Sequence, residues 1–326
     1  MQRRLAALEG SEHALVFASG MAALHAALLA LLPRGGSIVA QREIYGSSWD
    51  LMANQLAPLG FRLALADLSD ERARRQAFEE HRPELVYCES LSNPTLHVAD
   101  VPLLAAEAHA RGAKLLVDAT FASPALQRPV ELGADLVFHS ATKYLGGHSD
   151  LTAGVVCGSR TALKPVYRWL QLAGGCLDPH AAALLERGLK TLPLRMRAHC
   201  ENARALAERL ARHPRVERVL HPSLATHPSH AVARVVLPGF GGMLSFVVQG
   251  GDAAALRFVR ALELALEASS LGGVETLVSL PFNTSHARLS SEQRAEAGIA
   301  PGFVRVSVGI EDVEDLWADF EQALAR

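Results

Sequence analysis

A lysine with hydroxyl neighbours stands directly after an apolar run near the middle of the sequence. Residues 135–138 read Asp-Leu-Val-Phe and lead into Ser140, Thr142 and Lys143, which a pair of glycines follows. Lysine is a poor residue for a half-buried position unless its amine has a chemical task, and an amine there can form a Schiff base with an aldehyde. Neighbouring hydroxyls and permissive glycine backbone suit a bound phosphate. The pattern therefore predicts a covalently reactive lysine beside an anion site.

Other polar and aromatic side chains also follow apolar runs. Ser19, Gly20 and Met21 begin a helical stretch, where backbone N–H groups and the helix dipole favour an anion. Asp118 directly follows one apolar run, and Tyr45 comes shortly after another. An anion site, an isolated carboxylate, a lysine and an aromatic ring together fit pyridoxal phosphate. The carboxylate would pair with the protonated pyridine nitrogen, and the aromatic ring would stack on the pyridine.

Short apolar segments alternate with helical stretches through the first half of the chain. Continuous apolar strands separated by helices predict an α/β fold with a parallel sheet covered on both faces. Ligands of such sheets bind at the carboxyl ends of the strands, which is where these candidate residues stand. The predicted strands are residues 14–17, 37–40, 61–65, 85–88, 114–117, 136–138 and 154–158.

The second half of the chain has a different pattern. One long helical stretch is predicted from about residue 181 through 210, and after it strands mix with helices. This mixture predicts a smaller α+β domain with its boundary inside the long helix. We therefore expect a large domain over residues 1–190 and a C-terminal domain over residues 191–326.

Composition limits the class of protein. The 326 residues include 32 basic and 34 acidic ones, and the formal net charge of −2 argues against nucleic acid as a partner. No apolar run is long enough to predict a membrane span, so we expect a cytoplasmic protein. The four cysteines have no metal-ligand spacing and are expected to be buried and reduced, and no metal is predicted.

The motifs resemble those of the Cys/Met-metabolism family of pyridoxal-phosphate enzymes, the cystathionine γ-synthase-like group. SATKYLGGHSD resembles the family's lysine motif, VDATF its VDNTF motif and FASGMAA its phosphate loop. IYGSS resembles its VYGGT segment, and ESLSNPT resembles its ETPTNPT segment. RGLKTLPLRM, SSLGGVETL and FVRVSVGIED match later motifs, so the resemblance covers the whole chain in order. It implies the type I fold of PLP-dependent transferases (aspartate aminotransferase-like), with a parallel-rich sheet domain and a smaller α+β C-terminal domain.

The resemblance also implies a role for each matching residue. Lys143 and Tyr45 would be catalytic, with the cofactor attached to Lys143 and stacked on Tyr45. Asn93, Ser270 and Arg305 would bind the substrate. The residues implied to bind the cofactor are Ser19, Gly20, Met21, Tyr45, Asp118, Ser140, Thr142 and Lys143.

The implied activity is a transsulfuration-type elimination or replacement on sulfur amino acids or homoserine esters. Cystathionine γ-lyase or γ-synthase is favoured, and methionine γ-lyase or cystathionine β-lyase is the alternative. Ser47 stands where methionine γ-lyases carry a cysteine, and Ser269 stands at a position that varies with reaction preference. The resemblance further implies a homo-oligomer, a dimer of dimers.

Two departures and two other functional classes complete the hypotheses. Ala119 replaces the family's Asn, and the sequence contains no segment with the family's early Tyr-x-Arg motif, so we expect either a truncated chain or a cofactor bound with fewer phosphate contacts. A cofactor-poor, non-catalytic homologue is therefore one alternative. A metal hydrolase is another, prompted by His221, His227 and His230 in HPSLATHPSH. It is disfavoured because these histidines lack the i, i+4 helical spacing of zinc sites, and we expect the segment to be a surface connection.

Overall fold

The chain divides into two compact units. The structure is a computed structural model that describes residues 1–284 and 290–326. The first unit comprises residues 1–91, 98–146 and 150–190, and the second comprises residues 92–97, 147–149 and 191–326. The two short segments that group with the second unit were not foreseen from the sequence.

A mixed β-sheet forms the centre of the first unit. Its strands have the order β1-β7-β6-β5-β4-β2-β3, and among residues 1–190 β7 is the one strand that runs in the direction opposite to the other six. The predicted alternation of strands and helices is confirmed to within one or two residues at each strand. The strands are β1 (His13–Phe17), β2 (Ser37–Gln41), β3 (Arg62–Ala66), β4 (Leu85–Glu89), β5 (Lys114–Asp118), β6 (Leu136–Ser140) and β7 (Gly154–Gly158).

Helices connect these strands. Helix α2 is entirely apolar apart from one histidine and packs against β6 and β7, with a core that includes Leu24, Leu28 and Phe138. The helices are α1 (Gln2–Glu9), α2 (Gly20–Leu31), α3 (Gly46–Asp50), α4 (Glu71–His81), α5 (Val101–His109), α6 (Ser123–Leu126), α7 (Arg160–Ala173) and α8 (Pro179–Gly188). A π-helical turn over Leu51–Leu56 follows α3 directly.

Two local features differ from the simplest sequence-based expectation. Strand β7 is reversed because residues 141–153 form turns and no crossover helix, and a parallel return needs such a crossover. The long helix predicted over 181–210 is two helices, α8 and then α9 (Leu192–Leu210), separated by a 3₁₀ turn at Leu189–Thr191. Pro193 has no N–H to continue the first helix, and it stands at the start of the second, where that loss costs nothing.

A second sheet forms the centre of the second unit. Its described strands have the order β10-β11-β12-β9-β8, with all pairs antiparallel except β10 with β11. Phe246, Phe258 and Phe320 meet at its core with ring-centroid distances of 5.4 to 6.5 Å. The elements are β8 (Val216–Leu220), α10 (His230–Val236), β9 (Met243–Val248), α11 (Gly251–Ala261), β10 (Leu266–Glu267), β11 (Leu277–Ser279), α12 (Ser291–Glu296), β12 (Phe303–Ser307) and α13 (Val313–Ala325).

The burial of the cysteines differs in part from the prediction, and the helices were also compared with the requirements of a membrane span. Cys88 and Cys157 are buried and Cys200 is partly buried, but Cys176 is exposed, so the prediction of burial was wrong for that residue. Over residues 1–284 and 290–326, no helix combines the length and the apolar character that crossing a membrane would require.

Three histidines of the second unit make stability sensitive to acid. His199, His221 and His227 are buried, and burial lowers the pKa of each to about 4. An imidazole in the unfolded chain has a pKa of about 6.5, so the unfolded state binds more protons between these values. The stabilisation is therefore complete above about pH 6.5 and is lost as the pH falls towards 4, by up to about 1.4 kcal/mol per pH unit for each histidine.

Denaturant unfolding at a series of pH values measures this effect. Burial raises the pKa of Glu9 and of Asp118, which acts in the opposite direction, so the diagnostic quantity is a difference between two proteins. His227→Gln removes one titrating imidazole. We expect its unfolding free energy to fall less steeply with acid than that of the wild type, and identical slopes would contradict the role of His227.

Candidate active site

The carboxyl ends of neighbouring strands bring the candidate residues of the first unit to one edge of the sheet. Asp118 ends β5 and is paired with Glu89 at the end of β4 and with Phe138 of β6. Ser140 ends β6 and is paired with Gly154, which is also paired with Phe17 at the end of β1. The polar residues that follow these strands are therefore neighbours in space, as the sequence predicted.

Asp118 is a buried carboxylate held by neutral donors. Its side chain accepts the Thr120 N–H at 2.9 Å through Oδ1 and the Tyr87 hydroxyl at 3.4 Å through Oδ2. Burial raises the pKa of Asp118, and the hydrogen bonds from Thr120 oppose that rise only in part. A cation placed against this carboxylate would restore the charged form, which is what a protonated pyridine nitrogen would do.

Thr120 links Asp118 to residues 140–143, which we call the lysine segment. Its hydroxyl oxygen accepts the Ser140 N–H at 2.9 Å, while its own N–H is donated to Asp118. The carbonyl of Ser140 in turn accepts the Lys143 N–H at 3.1 Å. One continuous set of hydrogen bonds thus connects Asp118, Thr120, Ser140 and the backbone of Lys143.

The start of helix α2 lies against Ser140. Ser19 caps the helix by accepting the Ala22 N–H at 3.1 Å, and the amides of Gly20 and Met21 belong to the same first turn. A Cβ on Gly20 would lie 3.0 Å from both Cβ and Oγ of Ser140, and a Cβ on Gly154 would overlap the Ser19 carbonyl. Glycine at both positions therefore permits the N-terminus of α2 and the Ser140 hydroxyl to lie next to each other. Met21 follows in the same turn and is partly buried.

Lys143 and Thr142 are both partly buried on the turn after β6. The Thr142 hydroxyl donates to the Ala153 carbonyl at 3.2 Å and accepts the Ala153 N–H at 3.1 Å, so it closes the turn-rich segment 142–153. This role was not predicted, and the phosphate contact of Thr142 stays a prediction. Gly147 adopts a φ of 74°, and a Cβ there would overlap the guanidinium of Arg195. That glycine therefore has a packing reason that the sequence did not reveal.

Tyr45 combines a fixed backbone with an accessible ring. Its N–H donates to Glu89 Oε1 at 2.6 Å, while 45% of the residue is exposed. Glu89 pairs with Asp118 across β4 and β5, so the backbone of Tyr45 is attached to the same sheet edge. An exposed ring on an anchored backbone can cover the face of a planar ligand.

A buried contact between a histidine and a glutamate lies next to Ser140 in the sequence. His139 Nε2 is 2.8 Å from Glu9 Oε2, and both residues are at most 1% exposed. Burial raises the pKa of Glu9, and the neighbouring imidazole lowers it. His139 is therefore a buried residue of β6 whose contact with Glu9 joins that strand to α1.

Three candidate residues belong to the second unit, where Arg305 is the central one. Its Nη1 donates to Asn93 Oδ1 at 3.2 Å, and its Nη2 donates to the carbonyls of Ser269 at 2.7 Å and Ser270 at 3.1 Å. Asn93 and Arg305 are buried, 5% and 4% exposed. Acceptors in three directions fix the plane of the guanidinium, as recognition of a carboxylate requires.

The residues present fit pyridoxal phosphate. The helix N-terminus with the Ser140 hydroxyl offers phosphate donors, and Asp118 offers a buried anion for the pyridine nitrogen. Thr120 and Glu89 complete this arrangement, and sequence reasoning gave neither of them a role. A signal existed for both, because Thr120 lies within the VDATF motif and Glu89 directly follows the predicted strand 85–88.

Comparisons with known proteins agree with this chemistry. The family model described as Cys/Met metabolism PLP-dependent enzyme matches residues 1–325. The chain is 44% identical to an L-methionine gamma-lyase of Pseudomonas putida over 99% of this chain and 82% of that protein. It is 43% identical to an O-succinylhomoserine sulfhydrylase of Pseudomonas aeruginosa, with 99% and 80% covered. A solved cystathionine gamma synthase of Xanthomonas oryzae pv. oryzae, in complex with cystathionine, superposes with a TM-score of 0.96 and 43% identity, covering 99% of this chain and 84% of that one.

These comparisons decide two of the expectations drawn from the sequence. The type I, aspartate aminotransferase-like fold is confirmed by the structural similarity, and the resemblance to pyridoxal-phosphate enzymes is confirmed by the family match. The prediction that HPSLATHPSH is a surface connection was wrong for His221 and His227, which are 0% and 3% exposed, whereas Ala225, Thr226 and Pro228 are exposed.

Proposed function

Since the chain belongs to the Cys/Met metabolism PLP-dependent enzyme family, we propose that it catalyses γ- or β-elimination or replacement on sulfur amino acids or homoserine esters. Similar proteins carry out several variants of this chemistry, among them an L-methionine gamma-lyase, a cystathionine gamma-lyase and a cystathionine beta-lyase. Among these variants we favour cystathionine γ-lyase or γ-synthase activity.

One observation carries this proposal. The hydrogen bonds from Asp118 through Thr120 to Ser140 and the backbone of Lys143 tie a buried carboxylate to a lysine segment. The start of α2 lies against the same Ser140. A carboxylate, an amine and an anion site connected in this way match the pyridine nitrogen, the aldehyde and the phosphate of pyridoxal phosphate, respectively.

The residues of the first unit hold the cofactor in this proposal. Ser19, Gly20 and Met21 at the start of α2 bind the phosphate, with Ser140 and Thr142 beside them. Asp118 pairs with the pyridine nitrogen, where burial makes the interaction strong. When bound, the cofactor supplies an electron sink for the negative charge that develops at the substrate α-carbon.

Lys143 and Tyr45 move protons. Lys143, once its amine is neutral and released to the substrate side, removes the α-proton and returns a proton at a later step. Tyr45 is 45% exposed as a residue, on a backbone held by Glu89. It covers the cofactor ring and assists departure of the sulfur or ester group as an acid.

Arg305, Asn93 and Ser270 bind the substrate. A guanidinium recognises a carboxylate through two parallel hydrogen bonds, and its plane must be fixed for both to form. Asn93 and the carbonyls of Ser269 and Ser270 fix that plane. Since Ser269 acts on Arg305 through its main chain, its exposed side chain is available to influence which substrate side chain is accepted.

We favour cystathionine γ-lyase or γ-synthase activity because of two small residues, Ser47 and Ser269. The serine at 47 differs from the cysteine of methionine γ-lyases, and this difference favours cystathionine over methionine as substrate.

The homo-oligomer and the cytoplasmic location remain predictions. Sedimentation of the loaded protein tests the former.

Product analysis of the purified, cofactor-loaded protein tests the proposed function. Release of cysteine and 2-oxobutanoate from cystathionine identifies γ-elimination, and release of homocysteine and pyruvate identifies β-elimination. Formation of cystathionine from O-succinylhomoserine and cysteine identifies replacement, and release of methanethiol from methionine identifies the alternative lyase. A loaded protein that converts none of these substrates would contradict the proposal.

A further inference from the structure

The HPSLATHPSH motif, residues 221–230, has no part in the chemistry described so far. We call it the histidine segment. It follows β8 and leads into α10, and its two first histidines are buried in the second unit. Since burial of an imidazole is unfavourable without hydrogen bonds, the partners of these rings indicate what the segment does.

Residues 92–97, which we call the asparagine turn, form a compact turn in the same unit. The Ser92 N–H donates to the His97 carbonyl at 2.9 Å, and the Ser92 hydroxyl lies 3.0 Å from that of Thr95. Asn93, the residue that contacts Arg305, lies within this turn. A turn closed on itself moves as one piece, so contacts at its far side also set the position of Asn93.

Two side chains from distant parts of the second unit anchor the asparagine turn. His227 Nε2 lies 3.2 Å from the Thr95 carbonyl, 132 residues away in the chain. The Ser245 hydroxyl donates to the Pro94 carbonyl at 2.8 Å, across 151 residues. The His227 and His97 rings are also in contact, with centroids 5.9 Å apart. The two carbonyls that follow Asn93 are thus both held by side chains.

The hydrogen bonds of His227 define its protonation. Its Nδ1 accepts the Ser229 N–H at 3.2 Å, so the ring proton is on Nε2 and is donated to Thr95. Burial lowers the pKa of His227 to about 4, which keeps the ring in this neutral form at neutral pH. His227 is therefore a fixed neutral donor.

The second anchor stands beside Arg305. Ser245 of β9 is directly opposite Arg305 of β12 in the antiparallel register, so the two side chains lie on the same face of the sheet. Ser245 holds Pro94 while Arg305 holds the adjacent Asn93. The asparagine turn therefore docks through consecutive residues onto a cross-strand pair.

We propose that His227 and Ser245 are positioning residues for substrate binding, because they hold the asparagine turn so that Asn93 orients Arg305. The inference rests on the proposed function of Arg305 as the carboxylate-binding group. It gives the histidine segment a task at the substrate site without any contact between His227 and the substrate.

Variants of His227 and Ser245 test this proposal. His227→Leu removes the donor to Thr95 and keeps an apolar side chain, whereas His227→Gln retains an amide N–H that can reach the same carbonyl. Ser245→Ala removes the donor to Pro94 with little change of volume. His230→Leu is the matched control, since His230 lies in the same segment but contacts Pro222 and Phe240 rather than the asparagine turn.

The readout separates carboxylate binding from other effects. Two inhibitors of the loaded enzyme are compared: 4-(methylthio)butanoate, which has a carboxylate and no amine, and 3-(methylthio)propylamine, which has an amine and no carboxylate. We expect His227→Leu to weaken inhibition by the carboxylate about tenfold and to leave the amine within about twofold. Ser245→Ala should act in the same direction, His227→Gln should recover most of the loss, and His230→Leu should resemble the wild type.

Several outcomes would overturn the inference. Unchanged inhibition by the carboxylate in folded His227→Leu, or equal weakening of both inhibitors, would do so. If His227→Leu does not fold, Ser245→Ala decides, and unchanged carboxylate inhibition in that variant would reject the proposal. Arg305→Leu distinguishes a failure of the proposed function of Arg305 from a failure of the roles proposed for His227 and Ser245. If it leaves carboxylate inhibition unchanged, the proposed function of Arg305 fails, whereas a loss in Arg305→Leu alone rejects only the roles of His227 and Ser245.

Discussion

Lys143→Ala is expected to abolish turnover of every substrate while leaving a folded protein. Removal of a positioned proton-transfer group alone lowers rates by about 10²- to 10⁴-fold, and Lys143 is also the proposed site of covalent attachment. Asp118 and the start of α2 are untouched by the change, so cofactor is expected to bind without a covalent bond. The visible absorbance of the loaded protein and its fixation by borohydride measure the difference.

Peptide mapping makes this test specific. The sequence contains only four lysines, so the reduced adduct can be assigned to one of Lys114, Lys143, Lys164 and Lys190. Lys164→Ala is the control, because Lys164 is an exposed residue of α7 in the same unit. An adduct on another lysine, or near-normal turnover by Lys143→Ala, would show that the lysine has been assigned wrongly.

Arg305→Leu should raise KM far more than it lowers kcat. A charge-assisted, bidentate contact with a carboxylate contributes about 3 kcal/mol, which corresponds to a loss of roughly 100-fold in affinity. Arg305→Lys should recover only part of that loss, since an ammonium keeps the charge but cannot form the two parallel hydrogen bonds. Initial rates over a range of substrate concentrations separate KM from kcat.

A control variant and a measurement of stability are needed to interpret this result. Arg260→Gln removes an exposed arginine of α11 and should leave both constants unchanged. Because Arg305 is buried and hydrogen-bonded to Asn93, its replacement also leaves acceptors without a donor, so thermal unfolding must be measured alongside. Equal losses in KM for Arg305→Lys and Arg305→Leu would argue against a bidentate contact.

Local pattern was sufficient to predict most of the secondary-structure elements and to single out candidate side chains at their ends. The strands that end at Asp118 and Ser140 are short apolar runs, and the helix after Ser19 begins with a capping residue, so each could be predicted from a few adjacent residues. The carboxyl-end rule then placed their side chains at one edge of the sheet. The break before the helix that ends at residue 210 was missing from the prediction, because the apolar pattern continues through the 3₁₀ turn at Leu189–Thr191 and only Pro193 signals the interruption.

The sequence by itself therefore determined the alternating fold and the cofactor class, and it predicted Lys143 and Asp118 as the residues that meet the cofactor. Only the tertiary structure decided that Thr120 joins Asp118 to Ser140, that β7 is antiparallel to β6, and that His227 is buried against Thr95. The physical reason is the range of the interactions. Periodicity and capping act over a few residues, whereas the contact of His227 spans 132 residues and that of Arg305 with Asn93 spans 212. Such partners are chosen by how the whole chain packs, because a buried polar atom must find its hydrogen bond wherever the fold provides one.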